Sequence, residues 1–261
     1  CERIGEEWRK LLLRSGHPSM GLEAMRQLGV LDKLHPELAA LTGTMQDPEW
    51  HPEGDTWEHT KMAVDAAGDV VRRDGLNEND ALAILMGTLT HDLGKPATTA
   101  VIAGRILARG HAQAGIEPAR RFMASVNAST DTTNRVLPLV REHMFCSECP
   151  DPTPAAVRRL AVRLRPSAVT DLTRVIEADQ AGRGRRPPGG EELLGRLTRV
   201  AREIEVTANA PRPILMGRHL LAAGWQPGPR LGIVLKAVYE LQLDGAVTTL
   251  DDAIAEARQL S

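Results

Sequence analysis

The stretch ENDALAILMGTLTHDLGKP, residues 78–96, combines an apolar helix pattern with a polar ending. Its apolar residues recur at the spacing of one helix face: Leu82, Leu85, Met86 and Leu89. Gly94 and Pro96 are typical of the residues that follow a helix, so the helix is predicted to end just before them. The adjacent pair His91 and Asp92 therefore stands at the C-terminal end of a largely apolar helix.

The same helical period runs through most of the chain on either side. Asp55 or Thr56 is predicted to cap a helix that runs to about Arg73, and Asn77 or Asn79 to cap the next. Other predicted elements are helices over 2–14, 19–28, 112–125, 131–144, 154–164, 167–180 and 190–206, and one strand-like segment over 101–108. Aromatic residues make up only 3% of the chain, and we expect an all-α helical bundle.

Composition narrows the class of protein. The 261 residues include 42% hydrophobic and 25% charged residues, which is typical of a globular chain and argues against disorder. A net charge of −2 argues against a globally basic nucleic-acid coat but leaves a local basic patch open. The sequence has no apolar run long enough for a membrane span, and three cysteines make a disulfide framework improbable. We therefore expect a cytoplasmic protein with no membrane partner.

Six side chains able to bind a metal lie at or near predicted helix ends: His59, His91, Asp92, His111, His143 and Asp179. Neighbouring helix residues point about 100° apart. His91 and Asp92 therefore converge on one ion only near a helix end, or across a two-metal site. Imidazoles together with two carboxylates suit a divalent ion of mixed nitrogen and oxygen preference, such as Mn, Fe, Ni, Co or Zn.

The sequence resembles the HD superfamily of metal-dependent phosphohydrolases at three places: His59, the motif His91-Asp92-Leu93-Gly94-Lys95 and the distant Asp179. This resemblance implies an α-helical domain with a basic metal set of His59, His91, Asp92 and Asp179. Family members with extra histidines hold a second ion, and His111 and His143 stand where those ligands would be. The resemblance thus implies one or two transition-metal ions, with Mg²⁺ as a further candidate. The chemistry of such a site predicts catalytic roles for Asp92, which would orient a water molecule or bridge two ions, and for Lys95, which would balance phosphate charge.

A closer resemblance covers nearly the whole chain, and it is to the C-terminal half of bacterial tRNA nucleotidyltransferases of the HD-bearing type. It rests on residues 2–12, WHPEGDT at 50–56, ADQAGR at 178–183, GWQPGPRLG at 224–232 and QLDG at 242–245. It implies three regions: a neck-like helix pair over 1–35, an HD domain over 36–186 and a C-terminal helical tail over 187–261. The family's polymerase head has a Gly-Ser turn with two nearby carboxylates, and no Gly-Ser followed by Asp-x-Asp occurs here. We expect either a body fragment or a free-standing relative.

Two functions stay open at this point. The first is a phosphohydrolase acting on phosphomonoesters, or on 2′,3′-cyclic or 2′-phosphates of nucleotides or RNA 3′ ends, a substrate class that the resemblance implies. The alternative is the tRNA-binding body of a nucleotidyltransferase whose catalytic head is absent from this chain. Candidate phosphate contacts are Lys95, Arg183, Arg185 and Arg186, with Arg158, Arg159, Arg163 and Arg165 as a second basic group. For each of these cations, a solvated surface position is the alternative interpretation.

Other residues receive a structural interpretation. Cys146 and Cys149 form a Cys-x-x-Cys pair, but no second pair exists to complete a structural zinc site, so they are interpreted as loop cysteines. Surface or satisfied core positions are expected for His17, His35 and His219. An exposed neck helix over 2–14 would be able to pair with a second copy, which makes a homodimer a candidate state.

Overall fold

The computed structural model describes residues 2–184 and 189–260 and is built almost entirely of helices. The helices are α1 (Glu2–Arg14), α2 (Pro18–Gln27), α3 (Val30–Leu34), α4 (Pro36–Ala39), α5 (Thr56–Arg73), α6 (Glu78–Thr90), α7 (Lys95–Thr98), α8 (His111–Ala114), α9 (Ile116–Ser125), α10 (Thr130–Glu142), α11 (Phe145–Glu148), α12 (Pro154–Leu164), α13 (Val169–Ala181), α14 (Gly190–Glu203), α15 (Gly217–Ala222), α16 (Pro229–Asp244) and α17 (Leu250–Gln259). Strands β1 (Thr99–Ile102) and β2 (Arg105–Ala108) form an antiparallel hairpin. The all-α fold class is confirmed, and the hairpin includes the strand-like segment at 101–108.

Side-chain caps begin the two helices that lead into the bundle centre. The Asp55 carboxylate accepts a hydrogen bond from the backbone N–H of Glu58 at the start of α5. The Asn77 side chain accepts hydrogen bonds from the N–H groups of Asn79 and Asp80 at the start of α6. Each cap satisfies N–H groups that have no partner inside the helix, so both helices begin at a fixed residue.

Helix α6 is the central element of the bundle. Every residue from Ala81 to Thr90 is buried, which is typical of a helix surrounded by other helices. Helices α1, α5, α10 and α13 pack against it, and α5 also packs along α13. The C-terminal end of α6, followed by His91 and Asp92, therefore lies inside the bundle. Among the described helices, α6 included, none is both long and apolar enough to cross a bilayer.

Glycines allow two close backbone approaches beside this end of α6. A Cβ on Gly94 would overlap the carbonyl oxygen of His111 and lie 2.6 Å from the nitrogen of Gly115. A Cβ on Gly182 would lie 2.6 Å from the backbone nitrogen of Ala63, so α13 meets α5 closely. The helix predicted over 112–125 is interrupted at Gly115 and is observed as the separate helices α8 and α9.

The described residues form two separate apolar clusters. The larger extends from α1 to Val206 and includes Leu197 and Ala201 of α14. The smaller consists of Leu215, Leu220, Val234, Val238, Val247, Ala253 and Ala257. The apolar core thus divides after α14. The predicted boundary between residues 186 and 187 stays a prediction about domains, as does the boundary at 35.

The first predicted helix is not a free neck. Trp8 and Leu12 of α1 are buried in the larger cluster, and the indole N–H of Trp8 donates to Nε2 of His35 over 3.1 Å. The expectation of an exposed helix over 2–14 is therefore wrong for its apolar face, because this chain's own core covers it. His35 is a satisfied core histidine, as expected. The homodimer stays a prediction.

The arginines of the second basic group contact the chain itself. Their partners are the Leu243 carbonyl for Arg158, Asp244 for Arg159, Glu142 for Arg163 and the Pro211 carbonyl for Arg165. Each guanidinium keeps further N–H donors, so a role of this group as contacts for RNA phosphates stays a prediction. Three of the four partners lie in the C-terminal segment, so Arg158 and Arg159 of α12, and Arg165 just after it, link this part of the chain to that segment.

We expect Gly94→Ala to destabilise the fold, because the added methyl group meets backbone atoms of His111 and Gly115 that cannot rotate away. The free energy of unfolding in urea should fall by about 1–3 kcal/mol, the usual cost of an overpacked site. Gly195→Ala in α14 is the control, since its Cβ meets no atom within 4 Å. Equal stability of the wild type and Gly94→Ala would contradict the tight approach.

Candidate metal centre

The structure brings all six predicted ligands together at the centre of the bundle. His59 lies in the first turn of α5, His91 and Asp92 follow α6, His111 opens α8, His143 follows α10 and Asp179 lies near the end of α13. They form two groups of three, in each of which the candidate ligand atoms lie within 4.8 Å of one another: His59, His91 and Asp179, and Asp92, His111 and His143. All six are buried.

Three of the histidines are oriented in the same way. In each, Nδ1 lies within hydrogen-bond distance of the backbone carbonyl three residues earlier: His91 to Thr88 at 2.6 Å, His111 to Ala108 at 2.7 Å and His143 to Val140 at 2.7 Å. A carbonyl only accepts, so Nδ1 carries a proton in all three rings and Nε2 is the nitrogen available to bind a metal ion. Helix ends and a turn therefore direct three Nε2 atoms into the cluster, as is usual for metal-binding histidines.

In the first group, ring nitrogens lie next to carboxylate oxygens. His59 Nε2 lies 2.9 Å from Asp179 Oδ1, and His91 Nε2 lies 3.1 Å from Asp92 Oδ2 and 3.7 Å from Asp179 Oδ1. The buried Nε2 of His91 makes no hydrogen bond of good geometry. A buried nitrogen between carboxylates is a position that favours a positive charge, either a proton on the ring or a metal ion bound in its place.

In the second group, too, candidate ligand atoms face one another at close range. His111 Nε2 and His143 Nε2 lie 3.0 Å apart, and His111 Nε2 lies 3.3 Å from Asp92 Oδ1. Burial lowers the pKa of His111, and burial together with the nearby His91 and His111 lowers that of His143 to about 3. Both rings are therefore neutral, and two acceptor nitrogens face each other without a proton. This donor set fits a divalent ion that takes imidazole and carboxylate ligands.

Charges inside the cluster balance one another. Burial alone would raise the pKa of Asp92, but the neighbouring His91 and Lys95 cations hold it well below its usual value. Burial likewise opposes ionisation of Asp179, and the Arg183 guanidinium and His59 outweigh it. Burial would lower the pKa of His91, but Asp92 and Asp179 raise it to about 10. Both carboxylates are therefore ionised and surrounded by positive groups.

The structure describes two of the four predicted phosphate contacts, Lys95 and Arg183. Lys95 is buried, with Nζ 2.7 Å from Asp92 Oδ2 and 2.6 Å from Gln46 Oε1, so it is not a solvated loop lysine. Arg183 Nη2 lies 2.9 Å from Asp179 Oδ2, and its buried Nε has no hydrogen-bond partner. Arg185 and Arg186 lie outside the described residues, and their roles stay predictions.

Sequence reasoning missed two residues that touch the cluster, His51 and Glu53. The Glu53 side chain is 2% exposed, and its Oε1 lies 2.8 Å from Nδ1 of His51 and 2.8 Å from Nδ1 of His59. Burial would raise the pKa of Glu53, but hydrogen bonds from these two histidines lower it to about 2. Glu53 thus fixes the ring of His59 with Nε2 towards Asp179. In the sequence, the spacing of His51 and Glu53 just before the Asp55 cap was the signal that could have identified both residues.

The cluster opens into a cleft of about 740 Å³. Its wall includes the β1–β2 hairpin from Ile106 to Arg109, the loop from Met45 to His51, and residues of α11 and α13. This volume is in the range of small-molecule sites. Cys146 also lines the cleft, and both cysteines are free thiols. Burial raises the pKa of Cys146 to about 12, so its thiol stays protonated at neutral pH.

Comparisons with known proteins identify relatives of this chain. Residues 1–42 match the family model described as the probable RNA and SrmB-binding site of polymerase A. The chain is 34% identical over 257 residues to the CC-adding tRNA nucleotidyltransferase of Thermus thermophilus, covering 97% of this chain and 55% of that protein. The chain is a relative of tRNA nucleotidyltransferases.

Two further relatives agree with this relationship. The Multifunctional CCA protein of Xanthomonas campestris pv. campestris is 32% identical over 238 residues, which is 90% of this chain and 53% of that protein. The protein of the same name from Acinetobacter baumannii is 30% identical over 212 residues, 78% of this chain and 49% of that protein. The chain thus spans about half the length of these curated relatives.

We expect Glu53→Gln to weaken metal binding, because a neutral amide holds the His59 ring less firmly and makes it less basic. The dissociation constant for Co²⁺, measured by competition with a coloured chelator, should rise by about 10- to 100-fold. Glu148→Gln serves as the control, since Glu148 lines the same cleft but belongs to no group of metal-competent side chains among the described residues. Identical affinities of the wild type and Glu53→Gln would show that Glu53 does not support a metal ligand.

Proposed function

We propose that this chain is the helical body of a tRNA nucleotidyltransferase and binds the acceptor end of a tRNA, while nucleotide addition requires a separate catalytic head. The observation that carries this proposal is the alignment of 97% of the chain with half of a CC-adding relative. The RNA-binding family match at residues 1–42 supports it. Arg3 and Arg14, which are exposed cations on α1, are suited to contact phosphates.

The test is binding of a fluorescent tRNA acceptor-stem hairpin, followed by anisotropy over a range of salt concentrations. Arg3→Glu with Arg14→Glu should weaken binding by at least about 10-fold and reduce the salt dependence. The control pair, Arg230→Glu with Lys236→Glu, makes the same change in net charge on exposed positions of α16. We also expect no incorporation of CTP or ATP into tRNA by this chain alone.

Two outcomes would contradict the first proposal. One is equal binding of the RNA hairpin and a DNA hairpin of the same sequence, since a tRNA-binding body distinguishes the two helices by shape and by the 2′-hydroxyl. The other is nucleotide addition by these 261 residues alone.

A second function is favoured by the buried cluster, since binding RNA does not require six convergent ligands. We propose that the cleft is an HD-type phosphohydrolase site for phosphomonoesters, or for 2′,3′-cyclic or 2′-phosphates of nucleotides or RNA 3′ ends. The residues that would hold one or two divalent ions are His59, His91, Asp92, His111, His143 and Asp179. When bound, a divalent ion supplies Lewis-acid chemistry and lowers the pKa of water towards about 7.

The chain's own cations bind and orient the phosphate in this proposal. Lys95 has three N–H donors and gives one of them to Gln46, while its ammonium lies 2.7 Å from Asp92 Oδ2 as an ion pair, so a donor is left for a phosphate oxygen in the cleft. Arg183 has an unpaired, buried Nε–H beside Asp179. Asp92 holds the Lys95 ammonium in place as well as providing candidate ligand oxygens. Arg185 and Arg186 are proposed as additional phosphate contacts.

We expect Asp92→Asn to lose metal and hydrolysis together, because it keeps the shape of the side chain but removes the charge that binds cations. Lys95→Ala should retain metal, since an ammonium is no ligand, and raise the KM for phosphate esters. The assay uses chelator-treated protein refilled with Mn²⁺, Ni²⁺, Co²⁺, Fe²⁺, Zn²⁺ or Mg²⁺ and a panel of phosphomonoesters and cyclic nucleotides. Metal content is measured by mass spectrometry. Full metal content in Asp92→Asn, or no turnover by the metal-loaded wild type, would refute this function.

A further inference from the structure

Trp50 differs from the buried tryptophans of the larger core. Trp8 and Trp57 are 4% and 1% exposed, whereas Trp50 is 45% exposed and lines the cleft. Trp225 packs partly buried against the smaller cluster. A tryptophan left half in solvent at the wall of a cleft offers a large, rigid aromatic face to a ligand.

The loop that carries Trp50 is held at both ends by the metal cluster. At one end, Gln46 accepts a hydrogen bond from Lys95, which is paired with Asp92. At the other end, the ring of His51 lies 4.9 Å from that of His59 between centroids, in edge-to-face contact. The segment 46–51 therefore spans the rim beside the cluster, and Trp50 is one residue away from the His51 contact.

The middle of the loop is fixed by the hairpin. Arg105 of β2 donates from Nε to Asp47 Oδ2 over 3.1 Å and from Nη2 to Glu49 Oε2 over 2.9 Å. The backbone N–H of Trp50 donates to the Asp47 carbonyl over 3.0 Å. These contacts restrict the loop before any ligand arrives, so less conformational entropy is lost when a ligand contacts the Trp50 ring.

Apolar and cationic surfaces occupy different parts of the same cleft. Met45 and Trp50 are 59% and 45% exposed on its rim, and Lys95 and Arg183 lie by the buried carboxylates. A phosphomonoester without a ring system uses the cationic part alone. A nucleotide uses both parts, because its phosphate is anionic and its base has a flat π-face that stacks on aromatic side chains.

We propose that Trp50 stacks on the nucleobase of the substrate and makes the site prefer nucleotides to base-free phosphate esters. This inference rests on the proposed phosphohydrolase function and adds the residue that selects the substrate. Replacing an aromatic platform typically weakens binding of a stacked base by about 5- to 150-fold. The same replacement removes nothing that a base-free ester contacts.

The test compares AMP with ribose 5-phosphate, which carries the same sugar and phosphate without a base. Both are titrated calorimetrically into the metal-loaded wild type, Trp50→Leu and Trp50→Phe, and hydrolysis is measured in parallel. We expect the wild type to prefer AMP by at least about 10-fold. Trp50→Leu should lose most of that preference, and Trp50→Phe, which keeps an aromatic face, should retain most of it.

Tryptophan fluorescence gives a readout that does not depend on turnover. AMP should quench the emission of the wild type, because Trp50 is the exposed tryptophan in the cleft. In Trp50→Phe the quenching should disappear while calorimetry still detects binding, since the two core tryptophans are buried away from the ligand.

The outcomes separate this inference from the function on which it rests. An AMP preference that survives Trp50→Leu, or a wild type that treats both ligands equally while hydrolysing them, would overturn the role of Trp50 and leave the phosphohydrolase intact. A metal-loaded wild type that neither binds nor hydrolyses either ligand would overturn both proposals.

Discussion

Two ionised carboxylates at the centre of a helical bundle impose the main constraint on this structure. Asp92 and Asp179 are almost completely removed from water, and an isolated buried charge costs several kcal/mol. Lys95 and Arg183 each pair with one of them, and four imidazoles surround the pair. The helices must therefore deliver these groups to one point from distant parts of the chain, and the packing around α6 does so.

The backbone fixes this arrangement more than the side chains do. Three ring nitrogens donate to carbonyls in their own helix end or turn, so the rings cannot rotate without losing a hydrogen bond. Gly94 and Gly182 allow the surrounding segments to come closer than any larger residue would permit. Lone pairs face one another in the cluster because rigid elements hold them there. Such preorganisation is what tight cation binding requires.

Much of the helical fold could be predicted from the sequence, because helical periodicity and caps are local signals. The apolar face of α6, the Asn77 cap and the position of His91-Asp92 at a helix end all follow from residues within one or two turns. Convergence of the six ligands required the family resemblance, since sequence spacing does not fix how helices pack. Glu53, the internal pairing of the α12 arginines and the split at Gly115 depend on contacts between distant segments, which no local pattern encodes.

The small C-terminal cluster bears on how stability is measured. Helix α16, which carries part of this cluster, packs against α12, and Arg158, Arg159 and Arg165 also bind the C-terminal segment. Exposed ion pairs such as Arg159–Asp244 contribute about 0–1 kcal/mol each and are screened by salt. Because the two apolar clusters are separate, we expect them to unfold as separate cooperative units. A single melting temperature would then average two transitions, and raising the ionic strength would weaken one contact between them.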